Sequence, residues 1–460
     1  MKNLKYILFL ILPLFAFYGC EDDDGSNPGF GEKEIPHIYV TWSENMAYKV
    51  GDIVSIEPQI SPSDGATYKW TLNGEVISTE KDLSYRIPDY LVGVLKFEVT
   101  RNEVSNSRTA NLLVPQPFKP KTYNKKAIAF LTENGSISDV DWENITHLVV
   151  SSAEIGKDGA IKTTFVDKIN PSVLSQFAHH YGVYVLMEAS GVLKSYLNAA
   201  PLYGSYTFYN AAIGDKQVDL AKNIIAKADE LGFDGINIYM DKANTDNGLF
   251  GEPAKLKAFY EAVAANVTET KNIDGEDYPY LLTMSVVGGW TRGSLAGVVN
   301  IARYDWVNVL AFGAEDLDAV PHSAQWYAEQ EVGVWLGWQG PIAPSRVVLG
   351  VPAFGLRYFG VPAGYAWDNL ENFTEYISYK DICSKHSDAP SKSVVVIKEN
   401  NGDKSKEVDK IFYDGLSNIE QKAEYAKSKD LAGMALWSIE SDSKQSGQSL
   451  MKKINESLGN

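Results

Sequence analysis

The stretch of this 460-residue chain richest in chemistry is Asp234-Gly235-Ile236-Asn237-Ile238-Tyr239-Met240-Asp241. Ile236, Ile238 and Met240 alternate with Asn237, Tyr239 and Asp241. Period two marks a strand with one apolar and one polar face. A strand buried on both faces would read as a nearly continuous apolar run. The polar row therefore points at something, and the interior mouth of a barrel is the place that suits it. Asp241 offers a carboxyl that can give up a proton, Tyr239 a hydroxyl, and Asn237 polarity without charge.

The elements that must position this row can be read around it. Apolar runs occur at Ala127–Leu131, Thr146–Ser151, Val183–Met187, Phe233–Asp241, Tyr280–Val287, Trp306–Phe312, Val347–Pro352 and Gly433–Ile439, with helical stretches between. Eight strands with intervening helices predict an α/β chain folded as a (β/α)8 barrel over 126–460, with function at the C-terminal strand ends. Residues 360–411 read as a modest insertion before the last strand.

The signature row resembles that of the family 18 glycoside hydrolases, the chitinases and endo-β-N-acetylglucosaminidases, whose pattern is Asp-Gly-x-Asp-x-Asp-x-Glu. Asp234 and Gly235 are kept, Asn237 and Tyr239 replace two Asp, and Asp241 stands where the Glu would be. Ile145-Thr146-His147-Leu148, Leu349-Gly350-Val351-Pro352-Ala353-Phe354-Gly355, and Tyr413-Asp414 followed by Leu431–Trp437 resemble the family's second, seventh and eighth strands. The resemblance covers about 126–458 and implies the same barrel.

It also implies a mechanism. A Glu protonates the glycosidic oxygen while the substrate's N-acetyl carbonyl attacks the anomeric carbon. Asp241 in the acid's place is one methylene shorter, a retreat of roughly 1.5 Å. An ångström of misplacement costs on the order of a hundredfold in rate. Tyr239 in place of the orienting Asp supplies no negative charge. On strand six the family's Met-x-Tyr-Asp stands as Leu310-Ala311-Phe312-Gly313, and on strand three Ser-x-Gly-Gly stands as Glu188-Ala189-Ser190-Gly191.

The resemblance makes Trp437 a sugar platform on strand eight, against a reading as barrel core. Trp290 and Tyr358 are further platform candidates, and Asn237, Tyr239 and Phe312 would line the site. Arg357 lies one position from a place where the family often has Arg. Glu188 and Glu440 sit near strand ends, where either would serve as a relocated acid or as a solvated loop carboxylate. His179-His180 has no acidic or Cys partner at ligand spacing, so no metal site is expected. No cofactor is expected either.

The remaining chain sets the context. A net charge of −17 argues against nucleic acid or anionic lipid as partner. Aromatic content of 12%, with 10 Trp and 26 Tyr, suits rings stacking on sugars, though a large barrel also consumes such rings. Residues 1–19 carry two lysines and then an apolar run too short to span a membrane, which predicts a signal peptide. Phe17-Tyr18-Gly19-Cys20 resembles a bacterial lipobox, making Cys20 the lipidation site. Glu21-Asp22-Asp23-Asp24 resembles the surface-export signal of Bacteroidetes lipoproteins. An ordinary signal peptide with an incidental Cys is the alternative. Residues 20–33 read as a flexible tether. Residues 34–115 read as a small all-β sandwich resembling Ig-like and PKD-like modules, with Trp70 in its core and a spacer role, and 116–125 as a linker.

Three functions follow as expectations. The first is a lipid-anchored outer-membrane protein, facing the exterior, whose impaired barrel binds glycans carrying N-acetylglucosamine beside neighbouring glycan-uptake proteins. The second is an active family 18 glycosidase using Asp241 as acid. The third is a structural or protein-partner role.

Overall fold

The computed structural model describes residues 34–39, 42–163, 169–191, 207–240, 252–287, 295, 297–313, 320–337, 341–360, 374–401, 403 and 406–460. The expectations for Cys20, Asp241 and Trp290 lie outside the described residues. The chain divides into two compact units. One holds 1–42, 54–85 and 94–109, and the other 43–53, 86–93 and 110–460.

In the first unit, strand Thr67–Leu72 pairs antiparallel with Glu75–Ser78 and with Leu95–Thr100 of the strand Leu91–Arg101. Asn73 and Gly74 make the hairpin turn, both at positive φ (51° and 86°). Two consecutive positive φ values give the turn a twist that matches its strands, which is why Asn-Gly stands there. Trp70 is fully buried, its ring 4.5 Å from Phe97 and 5.6 Å from Trp42, and its indole N–H donates to the Lys81 carbonyl at 3.2 Å.

The second unit is built on eight parallel strands: β1 Lys126–Leu131, β2 His147–Ile155, β3 Tyr184–Ser190, β4 Gly235–Tyr239, β5 Leu281–Val287, β6 Trp306–Leu310, β7 Val347–Pro352 and β8 Gly433–Trp437. Each pairs with its neighbour in chain order, and β1–β8 pairing closes the barrel. These are the eight runs expected, with small differences at their ends. The (β/α)8 architecture is therefore present.

Alternation along the strands separates two cores. In β1, Ala127, Ala129 and Leu131 face outward onto the helices, while Ile128 and Phe130 face the barrel interior. The helices match the outer core by their spacing: Gln217–Glu230 buries Leu220, Ala221, Ile224, Ile225 and Ala228, one stripe of a 3.6-residue period. Helix Leu450–Leu458 begins on Ser449, whose hydroxyl oxygen accepts from the Lys452 N–H at 3.1 Å.

Two tight points account for the motif residues Gly235 and Asp234 by geometry alone. A Cβ on Gly235 would lie 2.2 Å from the Leu281 carbonyl oxygen, so only glycine lets β4 approach β5 there. Asp234, immediately before β4, accepts from the Val185 N–H at 2.8 Å and lies 2.9 Å from His179 Nε2. His179 thus has an acidic partner that its sequence neighbourhood did not reveal.

The insertion starts earlier than residue 360. Directly after β7 an antiparallel sheet forms in the order 374–378, 354–360, 408–412, 394–398. Arg357 belongs to this sheet and grips Asp409 with two hydrogen bonds of 2.8 Å.

Candidate functional site

The barrel interior is layered. Its deep part is apolar, with Ile128, Val149, Leu186, Trp306, Val348 and Ala435 in one buried cluster. Above it lies a band of polar side chains contributed by five consecutive strands: Ser151 of β2, Glu188 of β3, Asn237 of β4, Thr283 and Ser285 of β5, and Asn308 of β6. All are buried. A buried polar group is costly unless hydrogen-bonded, and here each one is.

Asn237 is the hub. Its amide nitrogen donates to Glu188 Oε2 at 2.9 Å and to Ser285 Oγ at 3.0 Å. Its carbonyl oxygen accepts from the Thr283 hydroxyl at 2.9 Å and from Asn308 Nδ2 at 3.2 Å. Asn308 in turn accepts from the Trp306 indole at 3.0 Å. The Ser151 hydroxyl closes the other end on Glu188 Oε1 at 2.7 Å. Burial pushes the Glu188 carboxyl up to about 7, against hydrogen bonds from Ser151 and Asn237 that pull it down.

Nearer the C-terminal strand ends the lining becomes aromatic. Trp437 lies between Phe130 of β1, ring centroids 4.6 Å apart at 33°, and Tyr239 of β4, 5.8 Å apart at 63°. Trp437 is 4% exposed and Tyr239 8%. Phe312, just past β6, meets Phe354 edge to face at 5.6 Å. The Trp437–Ser438 peptide is cis.

The structure brings Asn237, Tyr239 and Trp437 together in one interior, with Phe312 in the same cluster. Asp234 and Gly235 lie at the opposite end of β4 and serve the framework. Tyr358, expected as a platform, is instead fully buried. Its strand turns Leu356 and Tyr358 onto Val408 and Phe412, forming a separate small core in the insertion sheet. Glu440 is no solvated loop carboxylate either. It is buried beyond β8, accepts from the Thr132 hydroxyl and from the Thr132 N–H at 3.4 Å, and is raised above the usual carboxylate range by burial.

Sequence reasoning missed Ser151, Thr283, Ser285 and Asn308. A signal existed: Asn308 is a single polar residue in the apolar run Trp306-Val307-Asn308-Val309-Leu310, and Thr283 and Ser285 alternate with apolar residues in Leu281-Leu282-Thr283-Met284-Ser285-Val286-Val287. Among the described residues no group of three His, Cys, Asp or Glu side chains is placed to hold a metal ion. What the arrangement can do is hold polar groups by hydrogen bonds and stack apolar ring faces. Asn237, Tyr239 and Phe312 offer it no negative charge.

Comparison with known proteins agrees with this architecture. Residues 36–90 match the model of the PKD-like domain. A probable chitinase 2 of Drosophila melanogaster is 26% identical over 117 residues, which is 22% of this chain and 24% of that protein, so the match spans about a quarter of the relative's length. Among solved structures, a chitinase from Bacteroides thetaiotaomicron superposes with a TM-score of 0.54 at 20% identity, over 73% of this chain and 96% of that one. A tobacco class V chitinase, solved as a mutant with a bound N-acetylglucosamine tetramer, gives 0.54 at 14%, over 73% and 99%. A chitinase-like agglutinin from Robinia pseudoacacia gives 0.53 at 19%, over 73% and 100%. At such identities these likenesses speak for the fold. The model of glycosyl hydrolases family 18 matches residues 122–442, and the chain belongs to that family.

Proposed function

We propose that the barrel binds glycans carrying N-acetylglucosamine and hydrolyses them poorly or not at all. One observation carries this reading: the mouth keeps its aromatic lining, Trp437 with Phe130 and Tyr239, while positions 237, 239 and 312 present an amide, a phenol and a phenyl ring. Rings provide stacking surface for a pyranose. Neither an amide nor a phenol supplies the charge that would stabilise a cationic oxazolinium. A chitinase-like agglutinin shares the fold, so the fold is compatible with binding.

The second reading is a working glycosidase with Asp241 as acid. It is supported by the carboxyl retained at 241 and by the chitinases among the structural relatives. Incubation with chito-oligosaccharides and a high-mannose glycoprotein, read by mass spectrometry beside Asp241→Ala, separates the two. Products that vanish in the variant would establish the glycosidase. Binding by calorimetry without products would establish the binder.

The same reading places the protein on the outside of a cell, anchored through lipid on Cys20. Its support is the sequence of residues 1–24. Incorporation of a clickable fatty acid that persists in Cys20→Ala would sink it.

A further inference from the structure

Glu188 and Asn237 are register partners across β3 and β4. The interior hub therefore donates its hydrogen bond to a carboxyl on the neighbouring strand, while its own strand contributes the amide. Glu188 is 1% exposed. Ser151 faces it from β2 and Asn237 from β4, and neither can carry charge. The titratable groups elsewhere in the described interior are His147, Tyr184 and Tyr239, with the Lys126 ammonium lying over the Trp306 ring at the far end of the barrel. Burial pushes His147 down to about 3 and Tyr184 up to about 12, and Tyr239 is a phenol two residues beyond Asn237. Among the described residues no cation contacts the Glu188 carboxyl.

We propose that Glu188 is the positioning residue of this site: its carboxyl fixes Asn237, and with it the strand carrying Tyr239, so that gaining or losing its proton changes how the mouth holds a sugar. This rests on the reading of the barrel as a glycan site.

The proton bookkeeping follows from the contacts. With Glu188 ionised, Oε1 accepts from the Ser151 hydroxyl and Oε2 from the Asn237 amide. With Glu188 neutral, Oε2 still accepts from Asn237, so the proton sits on Oε1 and the Ser151 hydroxyl turns to accept it. The proton comes from solvent and returns there. Asn237 cannot answer by turning over, because its carbonyl oxygen is already held by Thr283 and Asn308 and would otherwise face the carboxyl. What changes at Asn237 is the strength of its bond, because the amide donates to a charged carboxylate in one state and to a neutral carboxyl in the other. Tyr239 lies two residues further along β4, its ring against Trp437. Burial without a counter-charge, which brings Glu188 up to about 7, puts this change within the ordinary working range.

The test uses protein labelled with 15N at asparagine side chains, with the Asn237 signal assigned by its loss in Asn237→Ser. Binding of tri-N-acetylchitotriose is measured by calorimetry on the same samples, from about pH 5 to about pH 9. The expected result is an Asn237 amide signal that moves with a midpoint near 7. The dissociation constant should change by about fivefold or more over the same span. Glu188→Gln keeps the shape and both hydrogen-bond partners, and should flatten both curves. An Asn237 signal that does not move, or a pH dependence of binding that survives in Glu188→Gln, overturns the proposal. Absence of binding at every pH defeats the glycan reading instead, and the backbone amide signal of Tyr239, followed over the same pH range in wild type and Glu188→Gln, then decides whether Glu188 positions β4. A purely structural Glu188 would lower stability when changed and leave the pH dependence of binding in place, whatever the Asn237 amide reports about its own acceptor.

Discussion

His179 Nε2 lies 2.9 Å from Asp234 Oδ2, and the same oxygen accepts from the Val185 N–H at 2.8 Å. One carboxylate thus ties helix Pro171–His180 to β3 at the start of β4. The first acid of the signature row works on the framework. Asp234→Ala leaves a buried N–H and an imidazole without their acceptor, and should destabilise the barrel by about 1–3 kcal/mol. Urea denaturation monitored by circular dichroism checks this. The folded fraction should bind sugar with unchanged affinity.

Trp437→Ala removes the ring at the centre of the aromatic lining. Affinity for chito-oligosaccharides should fall by about tenfold or more, roughly 1.4 kcal/mol. Calorimetric titration at neutral pH measures it. An unchanged constant would move the binding site away from the barrel mouth.

The stability of the protein should carry the mark of Glu188. Its folded-state value, about 7, is above the ordinary value of 4.5. The folded state therefore binds the proton more tightly, and the stabilisation is fully present below about 4.5 and lost as pH rises through about 7. The difference amounts to on the order of 3 kcal/mol. Glu188→Gln should abolish that part of the slope, so the variant gains on the wild type as pH rises from 5 toward 8. Denaturant midpoints across the range test the sign.

Lys422 and Asp414 form a fully buried ion pair at 2.5 Å, and Lys422 also donates to the Ser323 carbonyl at 2.6 Å. Burial pulls the Lys422 ammonium below its usual range, while Asp414 holds it up. Lys422→Met alone strands the carboxylate and should cost about 3–5 kcal/mol. The double variant Lys422→Met/Asp414→Leu should recover much of the loss, read from the same denaturation curves.

The strands were legible because β-barrel interiors and helix-facing sides both demand apolar residues, and the runs from Ala127 to Ile439 say so without any knowledge of neighbours. Trp437 and Tyr239 were legible as candidates because a resemblance supplied their register. Most of the polar band was not: Asn237 and Glu188 stood out, but Ser151, Thr283, Ser285 and Asn308 did not. The band is spread over 158 positions, and only the stagger of adjacent strands links it, neighbour to neighbour, by hydrogen bonds of 2.7 to 3.3 Å. Tyr358 misled for a related reason: the same residue type offers a ring face on one strand and fills a core on another, and the strand beginning at Phe354 could not be told from a loop by composition.

Trp437 reaches Phe130 on an adjoining strand and Tyr239 on a distant one, so three rings link across the lumen. Their rotamers are chosen when the barrel assembles. A rigid aromatic surface surrenders its conformational entropy at folding, so on the reading proposed above a glycan meets a mould already cast. Selectivity on that reading comes from shape, because there is little side-chain adjustment left with which to accommodate a poor fit.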